Sequence, residues 1–423
     1  MPFRFIHTAD IHLDSPLRSL AMRNGELADL VGNATREALV SIVDLCLEER
    51  VDALIIAGDL YDGEQTSMKT ARFLAGQLQR LHGAGIETYL IRGNHDALSR
   101  ITQELILPPS VKLFAGRAET VELNRSNLNV AIHGLSFARP HAPESLLPKY
   151  RPPVPDAANI GIMHTSLAGA PGHDLYAPCN VADLHAWGYD YWALGHVHLR
   201  NSHTGERTVI MPGMPQGRDI NEAGEKTVSL VTINDDRSIA IEERLTGIAQ
   251  FERIAVNLTP AETWRDAVDI IEGALVKTRE HTRSQHLVGR LRLDGQTPLT
   301  WRLRRDRDLL LTEIEHRAEG IGGAWVEKIE IATQMPAATS AVEATADPVR
   351  ELGALMRGNI VRQHGVRELV RDLVTELRDD LPVDLRAFAG DDEAALEAFI
   401  DRLLADGSDE ILARLASASA EPA

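Results

Sequence analysis

The chain has 423 residues, about two to three times the usual length of a single domain, so we expect several domains and exclude a small disulfide-stapled fold. Its 44% hydrophobic and 25% charged residues are typical of a globular protein, and no apolar run approaches the ~18 residues that span a bilayer, which excludes membrane insertion. The net charge of −18 argues against diffuse attraction to nucleic acid or anionic lipid. A polyanionic substrate would therefore need a local basic patch or bound metal ions.

The two cysteines, Cys46 and Cys179, form neither a CxxC motif nor a framework spacing. The first ten residues pass directly into strand-like sequence, without the basic and apolar parts of a leader peptide. We therefore expect a protein that is not exported and that works in the reducing cytoplasm.

Short apolar runs alternate with amphipathic helical patterns from the amino terminus to about residue 233. Helical faces recur over 33–50 and 66–82, and the apolar runs have the length of strands buried on both faces. The pattern predicts an α/β fold, a layered core of sheets flanked by helices, in a first domain over residues 1–245. Buried strands are predicted at 51–59, 86–96, 128–134, 159–165, 190–196 and 226–233.

The pattern restarts after this first domain. Over 246–334, three strand-like and two helical segments predict a small α+β domain. Residues 335–347 are rich in Ala, Thr, Ser and Pro and lack periodicity, which is typical of a linker. Helical spacing of apolar residues returns over 348–423, where two or three amphipathic helices are predicted.

Polar clusters follow five of the apolar runs. They come after the segments FIHTA, LIIA and YLIR, at the end of GIMH, and after DYWAL. In layered α/β folds, ligand sites lie outside the carboxyl ends of the strands, so we expect clusters separated by up to 188 residues to converge. In chain order the clustered residues are Asp10, His12, Asp59, Asn94, His95, Asp96, His164, His196 and His198.

The expected cluster offers imidazoles, carboxylates and one amide oxygen, but no thiol. This set suits divalent ions of hard and borderline character rather than a thiolate-bound structural zinc. Two such ions need a bridging carboxylate, for which Asp59 is the candidate, and together they would assist a phosphoryl displacement. Each motif alone has a structural alternative, because Asp and Asn also favour turns and helix caps. The ordered occurrence of all five motifs indicates a site.

The motifs also resemble those of a known superfamily. DIH, GDLYD, GNHD, the strand-ending MH and GHVH are similar to the five signature motifs of the calcineurin-like metallophosphoesterases. More narrowly, FIHTADIHLDSPL, ALIIAGDLYDGEQTS and YWALGHVH resemble the SbcD-like DNA repair exonucleases, and DIHLDSPL in place of DWHLG resembles their YhaO-like branch. The resemblance covers Met1 to about Ile233. Beyond that point only the arrangement is similar, with a capping domain followed by carboxyl-terminal helices.

The resemblance implies two metal sites, filled in the family typically by manganese. One divalent ion would be held by Asp10, His12, Asp59 and His198, and the other by Asp59, Asn94, His164 and His196. His95 matches the catalytic residue that stabilises or protonates the leaving group, and it is not a ligand. The neighbouring Asp96 either orients a histidine or caps the helix after it.

These observations predict a manganese-dependent DNA nuclease, exonuclease or endonuclease. It would hydrolyse phosphodiesters with a hydroxide activated by two metal ions, in DNA repair or end processing. The motifs specify this chemistry and leave the substrate open. Two alternatives therefore stand beside it. One is a metallophosphoesterase acting on a small-molecule phosphodiester or a phosphoprotein, and the other is a non-catalytic scaffold that binds DNA ends or an ATPase.

Two stretches bear on partners. Residues 277–307 carry nine Lys and Arg against three acids, which predicts contacts with DNA; the alternative is solvent-facing strand positions around a core Trp301. Residues 361–423 have a net charge of −8, which argues against DNA there. The resemblance implies that this tail docks on the coiled coil of an SbcC-like or YhaN-like ATPase, and that the protein forms a homodimer. The alternative is a helical lid packed on its own chain.

Overall fold

The structure is a computed structural model that describes residues 2–15, 25–62, 67–97, 106–167, 176–336, 348–381, 386, 388–390 and 392–418. Its internal contacts divide the chain into two compact units. The first comprises Met1–Arg253, Thr278–Gly289 and Gly323–Trp325. The second comprises Ile254–Lys277, Arg290–Gly322 and Val326–Ala423.

One six-stranded sheet of the first unit contains the earliest strands of the chain. Its members are β1 (Phe3–Thr8), β2 (Ala53–Ala57), β3 (Glu87–Ile91), β4 (Val111–Leu113), β11 (Thr227–Ile233) and β12 (Ile239–Leu245). Their order is β12-β11-β1-β2-β3-β4, in which β1 to β4 run parallel and the last two strands pair antiparallel at one side. The carboxyl ends of the four parallel strands therefore lie along one edge.

A second six-stranded sheet is built from the middle of the chain. Its members are β5 (Glu119–Leu123), β6 (Asn129–Gly134), β7 (Ala157–His164), β8 (Tyr191–Gly195), β9 (Asn201–His203) and β10 (Thr208–Met211). Their order is β5-β6-β7-β8-β10-β9, and β6, β7, β8 and β10 run parallel between two antiparallel edge strands.

The two sheets face each other across a shared apolar core. Phe5 and Ile55 of the first sheet pack with Ile160 and Tyr191 of the second, all of them buried. Because successive side chains of a strand point to opposite faces, the alternate residues of both sheets need a second cover. Helices α1 (Gly25–Glu48) and α2 (Met68–Gly83) cover the first sheet, and α3 (Val181–Trp187) lies in the apolar cluster on the outer face of the second.

The chain after residue 248 forms a three-stranded sheet of order β13-β14-β15, with three helices between its strands. Its elements are β13 (Ala249–Asn257), α4 (Trp264–His281), β14 (His286–Asp294), α5 (Thr300–Arg305), α6 (Arg307–Ile321) and β15 (Ala324–Ile331). This matches the predicted α+β pattern of strands and helices.

The carboxyl-terminal segment is helical. It contains α7 (Pro348–Leu355), a π-helical turn over Met356–Ile360, α8 (His364–Asp380) and α9 (Glu393–Ala418). Val374 of α8 packs with Leu396 and Ile400 of α9. Within the second unit α9 also packs on α5, where Arg304 forms an ion pair of 3.1 Å with Asp409.

The predicted fold class, an α/β core of sheets flanked by helices, is confirmed. All six predicted strands and both predicted helices of the core are present, with bounds shifted by a few residues. The sequence pattern did not indicate β4 and β9, which have three residues each, or the half-exposed edge strands β5 and β12. The predicted domain boundaries stay predictions, and residues 337–347 of the predicted linker lie outside the described residues. In the described part of the chain, no helix is long and apolar enough to cross a membrane.

Two glycines provide a matched test of the packing between β7 and β8. A Cβ at Gly161 of β7 would lie 2.4 Å from the buried ring of Trp192, whereas a Cβ at Gly76, on the exposed side of α2, would meet nothing within 4 Å. We expect Gly161→Ala to lower the free energy of unfolding by roughly 1–3 kcal/mol through overpacking. Gly76→Ala should raise it by about 0.5–1 kcal/mol, because alanine favours a helix interior. Urea denaturation measures both, and an unaltered midpoint for Gly161→Ala would contradict the close packing.

Candidate metal centre

The residues of the five motifs all lie where a strand of one of the two facing sheets ends. The loop after β1 carries Asp10 and His12, and the loop after β2 carries Asp59. The loop after β3 carries Asn94 and His95, β7 ends in His164, and the loop after β8 carries His196 and His198. The structure brings these side chains together at the carboxyl edges of both sheets. Two groups of candidate ligands contain motif ligands alone, and a third, overlapping group joins His12 with Asp62 and His95.

The loops that carry these residues turn through unusual backbone conformations. Asp10, His12, Asp59 and His196 have positive φ angles of 52°, 45°, 51° and 105°. Non-glycine residues seldom adopt this region, and such strain is concentrated at functional sites. Gly93 is needed for a different reason, since a Cβ there would lie 2.2 Å from Oδ1 of Asp59. The tight turns let short loops present side chains from adjacent strand ends to one point.

The first group consists of Asp10, His12 and His198. One ligand atom from each lies within 4.8 Å of the other two. Asp10 is fully buried, and its carboxylate accepts hydrogen bonds from the backbone N of His196 at 2.9 and 3.0 Å. The Nε2 atoms of His12 and His198 are 3.2 Å apart.

Both imidazoles of the first group are oriented from behind by carboxylates. Nδ1 of His12 is 2.6 Å from Oδ1 of Asp62, and Nδ1 of His198 is 2.9 Å from Oε1 of Glu222. A carboxylate accepts, so each Nδ1 carries the hydrogen and each Nε2 of a neutral ring presents a lone pair. Two lone pairs directed at each other at 3.2 Å need a proton or a cation between them. The donor set and its orientation therefore fit a divalent ion coordinated by His12, His198 and Asp10.

The second group consists of Asp59, His164 and His196, again with one ligand atom each within 4.8 Å of the others. Oδ1 of Asn94 lies between the two rings, 3.0 Å from Nε2 of His164 and 3.2 Å from Nδ1 of His196. Nδ1 of His164 is 2.9 Å from the carbonyl oxygen of Ala57, which again leaves Nε2 facing oxygen acceptors. Oδ2 of Asp59 is 3.2 Å from that Nε2. Oxygen acceptors that converge on these ring nitrogens also fit a cation.

Burial and neighbouring charge set the pKa values of these groups. Burial alone would lower the pKa of His164, but the adjacent Asp59 carboxylate outweighs it and raises that pKa to about 9. Burial opposes ionisation of Asp59, yet the charge and hydrogen bond of His164 dominate and lower its pKa. Burial raises the pKa of Asp10 despite the nearby histidines. The strong preference of His164 for a proton shows that this position attracts positive charge.

Asp96 joins two loops of the site, and its predicted role as a helix cap stays a prediction. Its Oδ2 accepts from the backbone N of Leu60 at 3.1 Å, and its Oδ1 accepts from the backbone N of Gly93 at 2.6 Å. It therefore ties the loop after β2 to the loop after β3, and no bond from it to a histidine is present among the described residues. Burial, together with the charge of Asp59, raises the pKa of Asp96 to about 7. The helix it was predicted to cap falls on residues 98–105, outside the described part.

His95 lies beside the first group and remains open to solvent. Its side chain is 47% exposed, its ring centroid is 5.0 Å from that of His12, and its Nδ1 is 3.3 Å from Oδ1 of Asp62. The hydrogen bond with Asp62 raises the pKa of His95, which favours the protonated ring. Its backbone N also donates to Oδ1 of Asp59 at 3.0 Å. His95 is therefore a half-exposed imidazole beside the first group.

The sequence motifs do not identify the residues behind the first group. They suggest no role in metal binding for Asp62, and they indicate nothing for Glu222 and Arg218. Burial opposes ionisation of both carboxyl groups, but the hydrogen bonds from His12 to Asp62 and from His198 to Glu222 lower their pKa values. The signal available for Asp62 was its position three residues after Asp59. Glu222 follows no strand, and the sequence offered no pattern that would have identified it.

Two other histidines of the core belong to the packing. Nδ1 of His7 lies 2.9 Å from the Tyr191 hydroxyl and its Nε2 lies 3.1 Å from the Leu194 carbonyl, and burial lowers the pKa of His7 to about 3. His133 stacks on Tyr189 with its ring centroid at 4.2 Å, and burial lowers its pKa as well. Both are neutral rings with satisfied partners, and neither belongs to the two ligand groups.

Two known families match separate parts of the chain. Residues 3–200 match the calcineurin-like phosphoesterase family, and residues 251–334 match the middle domain of metallophosphoesterase YhaO. The chain is 33% identical over 297 residues to an uncharacterized metallophosphoesterase YhaO of Bacillus subtilis, which covers 70% of this chain and 72% of that protein.

The chain is also similar, at lower identity, to proteins named for DNA double-strand break repair. The chain is 24% identical over 301 residues to the DNA double-strand break repair protein Mre11 of Methanopyrus kandleri, covering 65% of this chain and 64% of that protein. It is 24% identical over 399 residues to the protein of the same name from Halobacterium salinarum, covering 89% and 95%. From the YhaO relative, the family matches and the two groups of ligands, we conclude that the protein belongs to the calcineurin-like metallophosphoesterases, in the group of metallophosphoesterase YhaO.

Proposed function

We propose that the protein is a metal-dependent DNA nuclease that acts in repair or end processing. The observation that supports it most is the pair of ligand groups beside the exposed His95, on a chain whose distant relatives are named DNA double-strand break repair proteins. Asp10, His12, Asp59 and His198 would hold one ion, and Asp59, Asn94, His164 and His196 the other. We take the ions to be Mn²⁺ because the resemblance to the SbcD-like nucleases implies it; the donors themselves fit divalent ions of hard and borderline character without selecting one of them.

The reaction is the hydrolysis of a phosphodiester. Divalent cations bound by these residues would polarise the phosphoryl group, make a water more acidic and offset the charge that develops on the oxygens. The chain itself contributes three things. Asp62 and Glu222 orient the imidazoles, Asp96 fixes the loops after β2 and β3, and His95 holds a proton.

His95 supplies the proton for the leaving oxygen in this mechanism. Its Nδ1 faces Asp62, so Nε2 is the atom that carries the proton to the substrate. The hydrogen bond with Asp62 raises the pKa of His95, which favours retention of that proton. Because His95 belongs to neither of the two groups proposed to hold the ions, its replacement separates catalysis from metal binding.

Two other functions compete with a DNA nuclease. A phosphodiesterase for small molecules, or a phosphoprotein phosphatase, would use the same centre, because the ligands specify the reaction and not the substrate. A non-catalytic scaffold would bind DNA ends or an ATPase without turnover. The relatives named for double-strand break repair favour DNA, and the presence of a half-exposed His95 beside the ligands favours catalysis.

Most of the basic residues between 277 and 307 are engaged within the protein. Arg290 pairs with Glu327, Arg304 with Asp409, and Arg305 with Asp306. Arg304 is only 11% exposed, so reversing its charge would test packing rather than DNA binding. Trp301 is half-buried in α5 rather than on a strand. The basic enrichment of the sequence therefore overstates the charge that is available to a ligand.

A cleft in the second unit retains exposed cations. It has a volume of about 640 Å³, and its lining includes Arg292 of β14 and Lys328 of β15, with carboxylates from Glu330, Asp406 and Glu410. Arg292 is exposed, and the side chain of Lys328 is 44% exposed although its Nζ lies 3.3 Å from Oε1 of Glu330. We propose that these two residues contact DNA phosphates.

The tail is assigned to a protein partner. Helix α8 exposes Leu369, Leu373 and Leu377 at four-residue spacing, a stripe suited to packing on another helix. We propose an SbcC-like or YhaN-like ATPase as the partner and a homodimer as the assembly. The contact of α9 with α5 shows that part of the tail also packs on its own chain. Both cysteines are free and buried, which fits the proposed cytoplasmic location.

Replacing Asp59 tests the metal centre. Asp59→Asn removes the charge that the second group and the proposed bridge share, so we expect the number of bound Mn²⁺ ions to fall from two to at most one, measured by isothermal titration calorimetry. Hydrolysis of bis(4-nitrophenyl) phosphate should fall with it. Asp236→Asn, in an exposed turn, is the control and should bind as the wild type does. If Asp59→Asn binds two Mn²⁺ ions with the affinity of the wild type, Asp59 does not bridge the two ions.

Replacing His95 tests the mechanism and the substrate together. We expect His95→Asn to keep both Mn²⁺ ions and to lower turnover of linear duplex DNA by roughly 10²- to 10⁴-fold, the usual contribution of a general acid. Hydrolysis of bis(4-nitrophenyl) phosphate should fall less, because nitrophenolate leaves without a proton. His316→Asn, on the exposed surface of α6, is the control and should leave both rates unchanged.

The same measurements separate the competing functions. If the wild type hydrolyses the small diester and leaves DNA intact, DNA is not the substrate and the protein is a phosphodiesterase for small molecules. If it binds DNA in a gel-shift assay but hydrolyses neither substrate, it is a non-catalytic scaffold.

Neutralising Arg292 and Lys328 tests the cleft. Removal of one phosphate contact should reduce the slope of log affinity against log salt by about 0.9, so Arg292→Gln with Lys328→Gln should flatten it by about 1.8 and weaken DNA binding at low salt. Arg265→Gln with Arg414→Gln is the charge-matched control, since these side chains are 87% and 75% exposed and lie outside the cleft. Equal slopes for the two double variants would place the DNA elsewhere.

A further inference from the structure

Two acidic side chains stand behind the first metal site and hold its two imidazoles. Asp62 receives the Nδ1 hydrogen of His12, and Glu222 receives that of His198. The two rings come from positions 186 residues apart in the chain, and their Nε2 atoms meet at 3.2 Å. The orientation of both rings thus depends on two partly buried carboxylates, whose side chains are 21% and 12% exposed.

One guanidinium connects these two carboxylates. Nη2 of Arg218 donates to Oε1 of Glu222 at 2.6 Å, while its backbone N and Nε donate to Oε2 at 2.8 and 3.2 Å. Nη1 lies 3.7 Å from Oδ2 of Asp62 and donates to Oγ of Ser15 at 3.3 Å. The Ser15 hydroxyl in turn donates to Oδ2 of Asp62.

The local fold explains why Arg218 can reach both sides. Ile220–Glu222 form a 3-10 turn, and the Asp219 side chain caps it by accepting from the backbone N of Asn221 at 2.7 Å. This turn brings Glu222 back over Arg218. The arginine side chain is 23% exposed and that of Glu222 is 12% exposed, so their pairing is shielded from water on most sides. The planar fork of an arginine suits two acceptors at once, which a lysine ammonium does not.

We propose that Arg218 is the positioning residue of the first metal site: by clamping Glu222 and Asp62 together, it fixes the two imidazoles whose Nε2 atoms coordinate the ion. The inference rests on the metal centre of the proposed function and extends it to a residue outside the ligand set. Replacing a residue that holds a metal ligand in place without touching the metal commonly lowers metal affinity by about 10- to 100-fold.

Charge and position make opposite predictions here. The positive charge of Arg218 near the site repels a cation, so an effect of charge alone predicts tighter metal binding once the charge is removed. If Arg218 instead holds the imidazoles in place through the two carboxylates, its removal predicts weaker metal binding. Arg218→Lys keeps the charge and removes the fork, so it isolates the positional effect.

The test is calorimetric titration of the full chain with Mn²⁺. We expect the wild type to bind two ions and Arg218→Lys to bind one of them about 10-fold more weakly or worse, with the other within about twofold of the wild type. Arg207→Lys is the matched control. Arg207 pairs with Asp190 at 2.6 Å beside the amino end of β10, away from the strand ends that carry the site, and its replacement should leave both affinities unchanged.

A double variant shows which of the two sites Arg218→Lys weakens. Asp10→Asn removes a ligand of the first group, and on that background Arg218→Lys should change the remaining Mn²⁺ affinity by less than about twofold. If Arg218→Lys does not fold, Ser15→Ala provides the test, since it removes only the hydroxyl between Arg218 and Asp62. We expect it to weaken the first site by about two- to tenfold, the equivalent of one hydrogen bond.

The possible results are distinct. If the wild type binds no Mn²⁺, the proposed metal centre is wrong and this inference with it. If Arg218→Lys binds both ions as the wild type does, the metal centre stands and the positioning role is overturned. If metal affinity is unchanged but KM for the phosphodiester rises, Arg218 contacts substrate instead, which also overturns the proposal.

Discussion

The orientation of the imidazole rings is the constraint on which the metal centre depends. Three of its four histidines have Nδ1 held by an acceptor that is not itself a candidate ligand, which is Asp62 for His12, Glu222 for His198 and the Ala57 carbonyl for His164. An acceptor at Nδ1 fixes the tautomer, and the tautomer directs the lone pair of Nε2 into the site. Without these three contacts the rings could present a hydrogen instead of a lone pair, and the same residue types would no longer form a site for cations.

Holding so many polar groups at one buried point is unfavourable for the fold. Asp10, Asp59 and His164 are almost fully buried, and three loops pass through left-handed backbone at non-glycine residues. Such groups are stable only where their surroundings supply hydrogen bonds and the scaffold overdetermines the conformation. Here the scaffold is the apolar core between the two sheets, and the local supply includes Asp96, whose carboxylate ties two of the loops together. The rigid core between the sheets thus holds the strained loops at its edge in place.

Strand periodicity made the core and the placement of the candidate ligands at strand ends predictable from the sequence, whereas contacts between distant or irregular segments were not predictable. Each motif residue stands next to an apolar run, so the sequence pattern alone places it at a strand end. Glu222 and Arg218 lie in or beside a 3-10 turn that has no periodic signal, and their partners are up to 203 residues away. Short edge strands such as β4 and β9 carry too few residues for a pattern. The pairing of Arg304 with Asp409 likewise joins segments far apart in the chain, so a count of basic residues overestimated the exposed charge.

Substrate choice is a separate physical problem from the chemistry. The ligand groups would treat phosphodiesters of many kinds alike, since they act on the phosphoryl group. A chain of net charge −18 repels a polyanion at long range, and several arginines of the 277–307 stretch are already paired. Affinity for DNA must therefore come from a small number of exposed cations and from the metal ions themselves. Such binding would be weak in the absence of metal and would depend on salt with a shallow slope, because few counterions are released. A tight, salt-sensitive association with DNA would need cations from a second chain.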